Sequence, residues 1–504
     1  GSTPWSYNLD SADLDFLADG ETITFSYTVT ATDPEGATAT DQVAFTITGT
    51  NDQPVIDAIT STGSATEGNL NAALSDSGTL SFTELDSTDS VTVSESNTGI
   101  AWSAGTLADQ LTSTEINALI DGFAINSAQD GWTYNASVDL DFLAADETIT
   151  LTYSVVATDN SGATNAASDA QTVTVTITGT NDQPVIDAIT STGSATEGNL
   201  NAALSDSGTL SFTELDSTDS VTVSESNTGI AWSAGTLADQ LTSTEINALI
   251  DGFAINSAQD GWTYNASVDL DFLAADETIT LTYSVVATDN SGATNAASDA
   301  QTVTVTITGT NDQPVIDAIT STGSATSALA ITEAADASAQ VLSDSGTVSF
   351  NDIDTTDTVS ISFASNNDIA WSAGSLDTSL ASSLVGAFST GANDASAPGS
   401  TPWSYNLDSA DLDFLADGET ITFSYTVTAT DNSGATNAAS DAQTVTVTIT
   451  GTNDQPVIDA ITSTGSATEG NLNAALSDSG TLSFTELDST DSVTVSESNT
   501  GIAW

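Results

Sequence analysis

Hydrophobic and polar residues trade places with a period of two along most of this chain. Within residues 51–180, Leu80 and Phe82 alternate with Thr79, Ser81 and Thr83, Val91 and Val93 extend the pattern, and Ile100 and Trp102 follow. Trp132 and Tyr134 alternate next, then Ile149, Leu151, Tyr153 and Val155, then Val173, Val175 and Ile177. Successive side chains of a strand point to opposite faces, so each run predicts a strand with one buried face. Pro54–Ile59 opens a further strand. About seven such strands, separated by turns rich in Gly, Asn, Asp and Ser, predict an all-β antiparallel β-sandwich.

One segment breaks the period. Thr112-Ser113-Thr114-Glu115 has the form of a capping box, and Ile116, Leu119, Ile120 and Phe123 then fall at helical spacing, with Gly122 near the expected C-cap. A short helix packed across one end or edge of the sandwich is expected. A later copy carries Leu380, Leu384 and Phe388 behind a weaker cap, which predicts a shorter helix there.

The pattern recurs. The string NDQPVIDAI begins at Asn51, Asn181, Asn311 and Asn453, at intervals of 130, 130 and 142 residues. These intervals suit one independent domain each, whereas solenoid and propeller repeats run at roughly 20–50 residues. The expected organisation is a C-terminal half-repeat at 1–50, identical full repeats at 51–180 and 181–310, a diverged full repeat at 311–452, and an N-terminal half-repeat at 453–504. The third repeat carries an insertion around Ser327–Gln340. Both ends fall inside repeats, so the chain is expected to be a window on a longer array. Joining Trp504 to a following Gly1 would build a repeat lacking only the counterpart of Ser103–Asp130, as in a fibre.

Charge changes the picture more than any other feature. The 504 residues include 70 Asp and Glu and no Lys, Arg, His, Cys or Met, giving a formal charge of −70. No side-chain salt bridge can form, and self-repulsion opposes compaction. The regular alternation argues against disorder, so a counter-charge must come from outside. Divalent hard cations, which prefer carboxylate and carbonyl oxygens, are the natural source. Nucleic acid and acidic membrane surfaces are excluded as partners because nothing in the chain can pair with a phosphate. No apolar run approaches the length of a membrane-spanning helix. The absence of cysteine fits a protein stapled by metal rather than by disulfides.

Enzymatic readings find little support. Without His, Cys or Lys, only carboxylates and hydroxyls could act. Asp76-Ser77-Gly78 resembles an aspartic-protease loop, but it recurs at Asp206, Asp344 and Asp478, once per repeat, where Asp and Gly also serve a turn. Trp102 and Trp132 could offer a platform for sugar rings, but both sit among alternating aliphatics, which favours core packing. Asn135-Ala136-Ser137 and its counterpart at Asn265 leave glycosylation open.

The tail of each unit, VTVTITGTNDQPVI at Val173–Ile186, together with GWTYNASVDLDFLAADETITLTYSVVATDNSGAT at Gly131–Thr164 and GTLSFTELDSTDSVTVS at Gly78–Ser94, resembles the VCBS repeat of very large secreted bacterial proteins, including RTX-type adhesins. The junction also resembles the cadherin linker, although Asn181-Asp182-Gln183-Pro184 is one residue shorter before Pro. The resemblance implies Ig-like or cadherin-like sandwiches, type I secretion to the cell surface, and Ca2+ at the domain junctions.

The candidate metal ligands follow from that expectation and from the oxygen-rich turns. Each junction offers an Asn-Asp pair and a nearby Asp: Asn51, Asp52 and Asp57; Asn181, Asp182 and Asp187; Asn311, Asp312 and Asp317; Asn453, Asp454 and Asp459. Acidic loops at strand ends add Glu84, Asp86 and Asp89; Glu214, Asp216 and Asp219; Asp352, Asp354 and Asp357. Glu67 and Glu197 follow early strands, and Asp159, Asp289 and Asp431 open turns. Taken singly, each could be a solvated Asx turn or cap. Six to eight oxygens suit Ca2+, with an affinity of about 10⁻⁴–10⁻³ M for extracellular modules. Three functions remain open: a stalk whose partners are calcium and its own neighbouring repeats, a weak glycan-binding module acting through copy number, and a self-assembling matrix filament.

Overall fold

The computed structural model describes residues 1–321, 328–335, 339–392, 396–440 and 442–502. Three sandwich modules lie in tandem, preceded by a hairpin of strands Thr22–Thr32 and Thr38–Thr48 and followed by a two-stranded pair, Val457–Ile461 with Leu482–Thr485.

The first complete module shows the plan. Its strands are β1 (Val55–Ile59), β2 (Thr62–Thr66), β3 (Ala73–Thr83), β4 (Val91–Trp102), β5 (Phe123–Ile125), β6 (Gly131–Ser137), β7 (Thr148–Asp159) and β8 (Gln171–Thr178), with helix α1 (Ser113–Ile120) between β4 and β5. One sheet has the order β1-β3-β6-β5 and the other β2-β8-β7-β4. All neighbours are antiparallel except β2 and β8, which run parallel. The alternation expected in β7 is realised residue by residue: Ile149, Leu151, Tyr153, Val155 and Ala157 are buried, and the Thr, Ser and Val residues between them are half-exposed. Val173, Val175 and Ile177 of β8 face the same core.

Trp132 and Tyr134 of β6 anchor that core at 1% and 0% exposure. A buried aromatic with a polar tip needs a partner. The Trp132 indole N–H donates to the Thr60 carbonyl at 2.8 Å, and the Tyr134 hydroxyl donates to the Leu119 carbonyl at 3.0 Å. Phe123 stacks on Tyr153 with centroids 4.2 Å apart. Gly78 is required by this packing, since a Cβ there would lie 2.4 Å from the Trp132 ring. Helix α1 begins at the expected capping box: the Glu115 N–H donates to Thr112 Oγ1 at 3.3 Å and the Thr112 N–H donates to Glu115 Oε2 at 2.7 Å.

The structure corrects the sequence reading in three places. The module has eight strands rather than about seven, because the three-residue β5 is too short to show a period. The parallel β2–β8 pair departs from a purely antiparallel sandwich. The third module's helix, Thr378–Gly386, has nine residues against eight in α1, so it is not shorter. Its cap is Asp377, whose Oδ1 accepts the N–H groups of Ser379 and Leu380 at 2.9 and 3.3 Å, and Asp is as strong an N-cap as Thr or stronger. Of the insertion around 327–340, residues 327 and 336–338 lie outside the described residues, and Ala328–Thr332 forms a strand.

Because 51–180 and 181–310 have identical sequences, their modules are expected to unfold together. Trp132→Ala should split that shared transition, lowering one module by about 3–5 kcal/mol while the other stays in place. Denaturant unfolding followed by circular dichroism would show one unsplit transition if Trp132 were not a core anchor.

Candidate metal centre at the module junctions

Strand β8 ends at Thr178, and the next module's first strand, Val185–Ile189, begins after six residues. The connection cannot swing freely. The Gly179 N–H donates to the Glu147 carbonyl at 2.8 Å, and a Cβ on Gly179 would come within 2.4 Å of the Ala144 carbonyl oxygen. This close approach brings three chain segments to one point.

On the side of the first module, Glu67 follows β2, and its Oε1 accepts the Thr180 N–H at 2.8 Å and the Thr180 hydroxyl. Asp141, in the β6–β7 connection, accepts the Leu70 N–H at 2.8 Å. The linker contributes Asp182, whose N–H donates to Asp216 Oδ2 at 2.9 Å. Glu67, Asp141 and Asp182 are 5%, 8% and 8% exposed, and one carboxylate oxygen from each lies within 4.8 Å of the others.

On the side of the second module, the loop Glu214–Asp219 folds on itself. The Asp216 N–H donates to Glu214 Oε1 at 3.0 Å, and the Asp219 N–H donates to the Asp216 carbonyl at 3.0 Å. Asn181 Nδ2 donates to Asp289 Oδ2 at 3.2 Å. That bond leaves Asn181 Oδ1 directed elsewhere, while Asp289 Oδ1 accepts from Ser291. The third junction repeats this side with Asp352, Asp357 and Asp431, whose oxygens lie within 4.8 Å of one another. There the Asp312 N–H donates to Asp354 Oδ2 at 2.8 Å and Asn311 Nδ2 to Asp431 Oδ2 at 3.2 Å. At the first junction Asp52 and Asn51 make the same bonds to Asp86 and Asp159, at 2.8 and 3.2 Å.

The decisive feature is what these oxygens lack. Among the described residues, every buried side-chain polar atom without a hydrogen-bond partner is an oxygen of Asp, Glu or Asn at a junction. They include Glu67 Oε2, Asn181 Oδ1, Asp182 Oδ2, Glu214 Oε2, Asp216 Oδ1 and Asp219 Oδ2 at one junction and Glu197 Oε2, Asn311 Oδ1, Asp352 Oδ2, Asp354 Oδ1 and Asp357 Oδ2 at the next. Buried polar atoms are almost always paired, and an ionised carboxylate can only accept. Acceptors converging without donors fit a hard divalent cation. Burial, followed by the charges of Asp141, Glu67 and Glu214, pushes Asp182 up to about 6. Burial likewise carries Asp216 to about 7, with Asp182, Glu214 and Asp219 adding to it against the opposing Asp182 N–H. Asp352 and Asp354 rise to about 6 and about 8 for the same reasons.

Four of the expected ligands lie at an irregularity of the first strand. Asp57, Asp187, Asp317 and Asp459 fall where the register slips between the first and third strands, as between Ile56 and Ala58. There Asp57, Asp187 and Asp459 accept hydrogen bonds from Thr83, Thr213 and Thr485 at 2.7, 2.7 and 2.8 Å. These bonds tie the three side chains to the strand that pairs with their own. Conversely, sequence reasoning missed Asp141 and its counterparts Asp271 and Asp413. The signal was present in the Asp-Leu-Asp triplet at 139–141, 269–271 and 411–413. It also missed Glu333, hidden by the insertion, whose Oε1 accepts the Thr452 N–H at 2.7 Å, and Asp488, which accepts the Asp454 N–H at 2.9 Å. Asp76 ties β3 to β2 by accepting the Ser64 N–H at 2.6 Å, a structural use of the protease-like triplet. Trp132 is core, while Trp102 is half-buried at the junction.

The fold and the site together define a tandem β-sandwich repeat protein with acidic junctions. No protein-family model matches the chain, and no curated protein matches it. Among solved structures it is similar to the Drosophila N-cadherin EC1-4 fragment at 14% identity, covering 88% of this chain and 86% of that one with a TM-score of 0.27. It is also similar to mouse cadherin-23 EC22-24 at 13% identity, covering 80% and 100% with a TM-score of 0.32. A glycoside hydrolase family 107 endo-fucoidan hydrolase matches at 12% identity, covering 77% of this chain and 42% of that one with a TM-score of 0.18. Likenesses at these TM-scores carry no functional argument. No helix among the described residues is long and apolar enough to cross a membrane.

The raised carboxylates give a pH dependence of definite sign. A carboxyl whose folded pKa exceeds its unfolded value holds its proton more tightly when folded. Its burial therefore costs nothing in acid, and stability falls as pH rises from 3.8 through about 7 at Asp216. In chelator, Asp216→Asn should raise the melting temperature at pH 8 and change it little at pH 4. Equal effects at both values would mean that Asp216 is not desolvated.

Proposed function

We propose that this chain is a stalk segment of a large secreted bacterial surface protein of the VCBS-repeat, RTX-adhesin type, used in adhesion or biofilm and stiffened by calcium at every junction. One observation carries the reading: the donorless, buried carboxylate and amide oxygens recur at each junction and nowhere else among the described residues. Glu67, Asp141 and Asp182 would hold one ion, and Asn181, Glu214, Asp216, Asp219 and Asp289 would hold ions on the other side of the linker. The ions would supply the positive charge that the sequence lacks, tying consecutive modules together through ligands drawn from both.

Near-identical copies add reach without adding recognition, which favours a stalk over a glycan-binding array. The modules proposed are those at 51–180, 181–310 and 311–452, continued in the half-repeats on either side. Weak binding suits secretion of an unfolded chain through the low calcium of the cytoplasm and stiffening outside the cell. No catalytic role is proposed for any carboxylate.

Calcium added to chelated protein should lengthen and straighten the particle in small-angle scattering, with a midpoint of about 10⁻⁴–10⁻³ M. Asp182→Asn combined with Asp312→Asn should leave two junctions loose at saturating calcium. Scattering curves that do not change between chelator and calcium would overturn the stalk reading.

A further inference from the structure

Each junction is also closed by contacts that use none of the unpartnered oxygens. Glu147 lies just before β7 and is half-buried. Its Oε2 accepts the Trp102 indole N–H at 3.0 Å, within its own module. Its Oε1 accepts the hydroxyl of Thr218, in the next module, at 2.7 Å. Thr218 sits in the acidic loop between Asp216 and Asp219. Beside it, the Ser217 N–H and hydroxyl both donate to the Phe142 carbonyl, at 3.1 and 3.2 Å. The Phe142 ring meets Trp102 edge-on, with centroids 5.2 Å apart.

The arrangement recurs where the sequence has diverged. Glu277 joins Trp232 at 3.1 Å to Thr356 at 2.5 Å, and Glu419 joins Trp371 at 3.1 Å to Thr490 at 2.6 Å. The second of these loops replaces Ser217 by Thr355, which still reaches the Phe272 carbonyl at 3.4 Å. The third lies on the module whose Trp371-to-helix connection is shorter and lacks the 3-10 turn seen at Leu107–Asp109. The Trp–Glu–Thr bridge persists through both changes.

An indole N–H can only donate, so it fixes one carboxylate oxygen and aims the other at the neighbouring module. The bridge therefore needs a group with two acceptors at this position, and it needs no metal. We propose that Glu147, Glu277 and Glu419 are positioning residues that latch each module onto the acidic loop of its successor. The latch holds Asp216 and Asp219, and their counterparts, in register with the linker Asp and narrows, without abolishing, the play between adjoining modules when the ions are removed. The effect on ion affinity rests on the calcium reading above; the docking effect does not.

The test uses the full chain with Thr218→Val, Thr356→Val and Thr490→Val together, which removes the hydroxyls and keeps the side-chain shape. The matching triple to Ser restores a hydroxyl at each site. Calcium titration by calorimetry should show a midpoint raised about three- to tenfold in the Val triple, the range expected for one lost hydrogen bond per site. The Ser triple should return to native. In chelator, scattering should show a more flexible particle for the Val triple than for the native chain, with the thermal unfolding of the modules unchanged. A Val triple that matches the native chain in both titration and chelator scattering would overturn the proposal. If the native chain takes up no calcium, the metal reading fails by itself, and the chelator comparison still decides the latch.

Discussion

Burying carboxylates in a chain that owns no positive side chain is the constraint from which the rest of this structure follows. A protein of mixed charge can pair a buried Asp with Arg or Lys. Here the only internal donors are backbone N–H groups, hydroxyls, amides and indoles. The junctions exhaust them. Asp216 receives the N–H of Asp182, Glu67 receives Thr180, and Asp289 receives Ser291 and Asn181. Each then still presents, or lies beside, an oxygen for which no donor remains.

The sandwich is what makes that concentration possible. Strand ends and turns from distant parts of a module meet at its pole, and the linker passes between two such poles. Glu67, Asp141 and Asp182 come from a β2 exit, a β6–β7 connection and a linker, segments that share no local sequence relation. Among the described residues, the interiors of the modules, by contrast, hold no buried polar side-chain atom without a partner. Their Trp, Tyr, Leu, Ile and Val residues pack with every polar tip satisfied, as at Trp132 and Tyr134. Among the described residues, the buried oxygens without a donor are thus confined to the junctions.

The same poles carry a second kind of contact, made of neutral donors and one carboxylate with both oxygens occupied. Trp102, Glu147 and Thr218 link consecutive modules without adding to the set of unpaired oxygens. Charge and docking are therefore divided between different side chains of one junction. This division explains why Glu147 and Asp141, six residues apart, serve different ends: Asp141 faces carboxylates of the linker, whereas the indole of Trp102 turns Glu147 toward the next module's hydroxyl.

Period-two alternation, the capping box at Thr112–Glu115 and the repeated string at Asn51, Asn181, Asn311 and Asn453 were legible because each is a local or tandem signal. So was the lack of any positive side chain to pair with a carboxylate, which composition alone settles. The parallel β2–β8 pair, the three-residue β5 and the register slip at Asp57 were not legible, because each depends on which strands become neighbours. The Asp-Leu-Asp triplet at 139–141 was visible as a repeat, but nothing local sets Asp141 apart from any solvated loop acid. By itself the sequence determined that these are tandem β-modules carrying uncompensated charge, because strand period and residue type are properties of the chain. Only the tertiary structure decided which oxygens gather and which find donors, because that depends on how strand ends far apart in sequence meet at the pole of a sandwich.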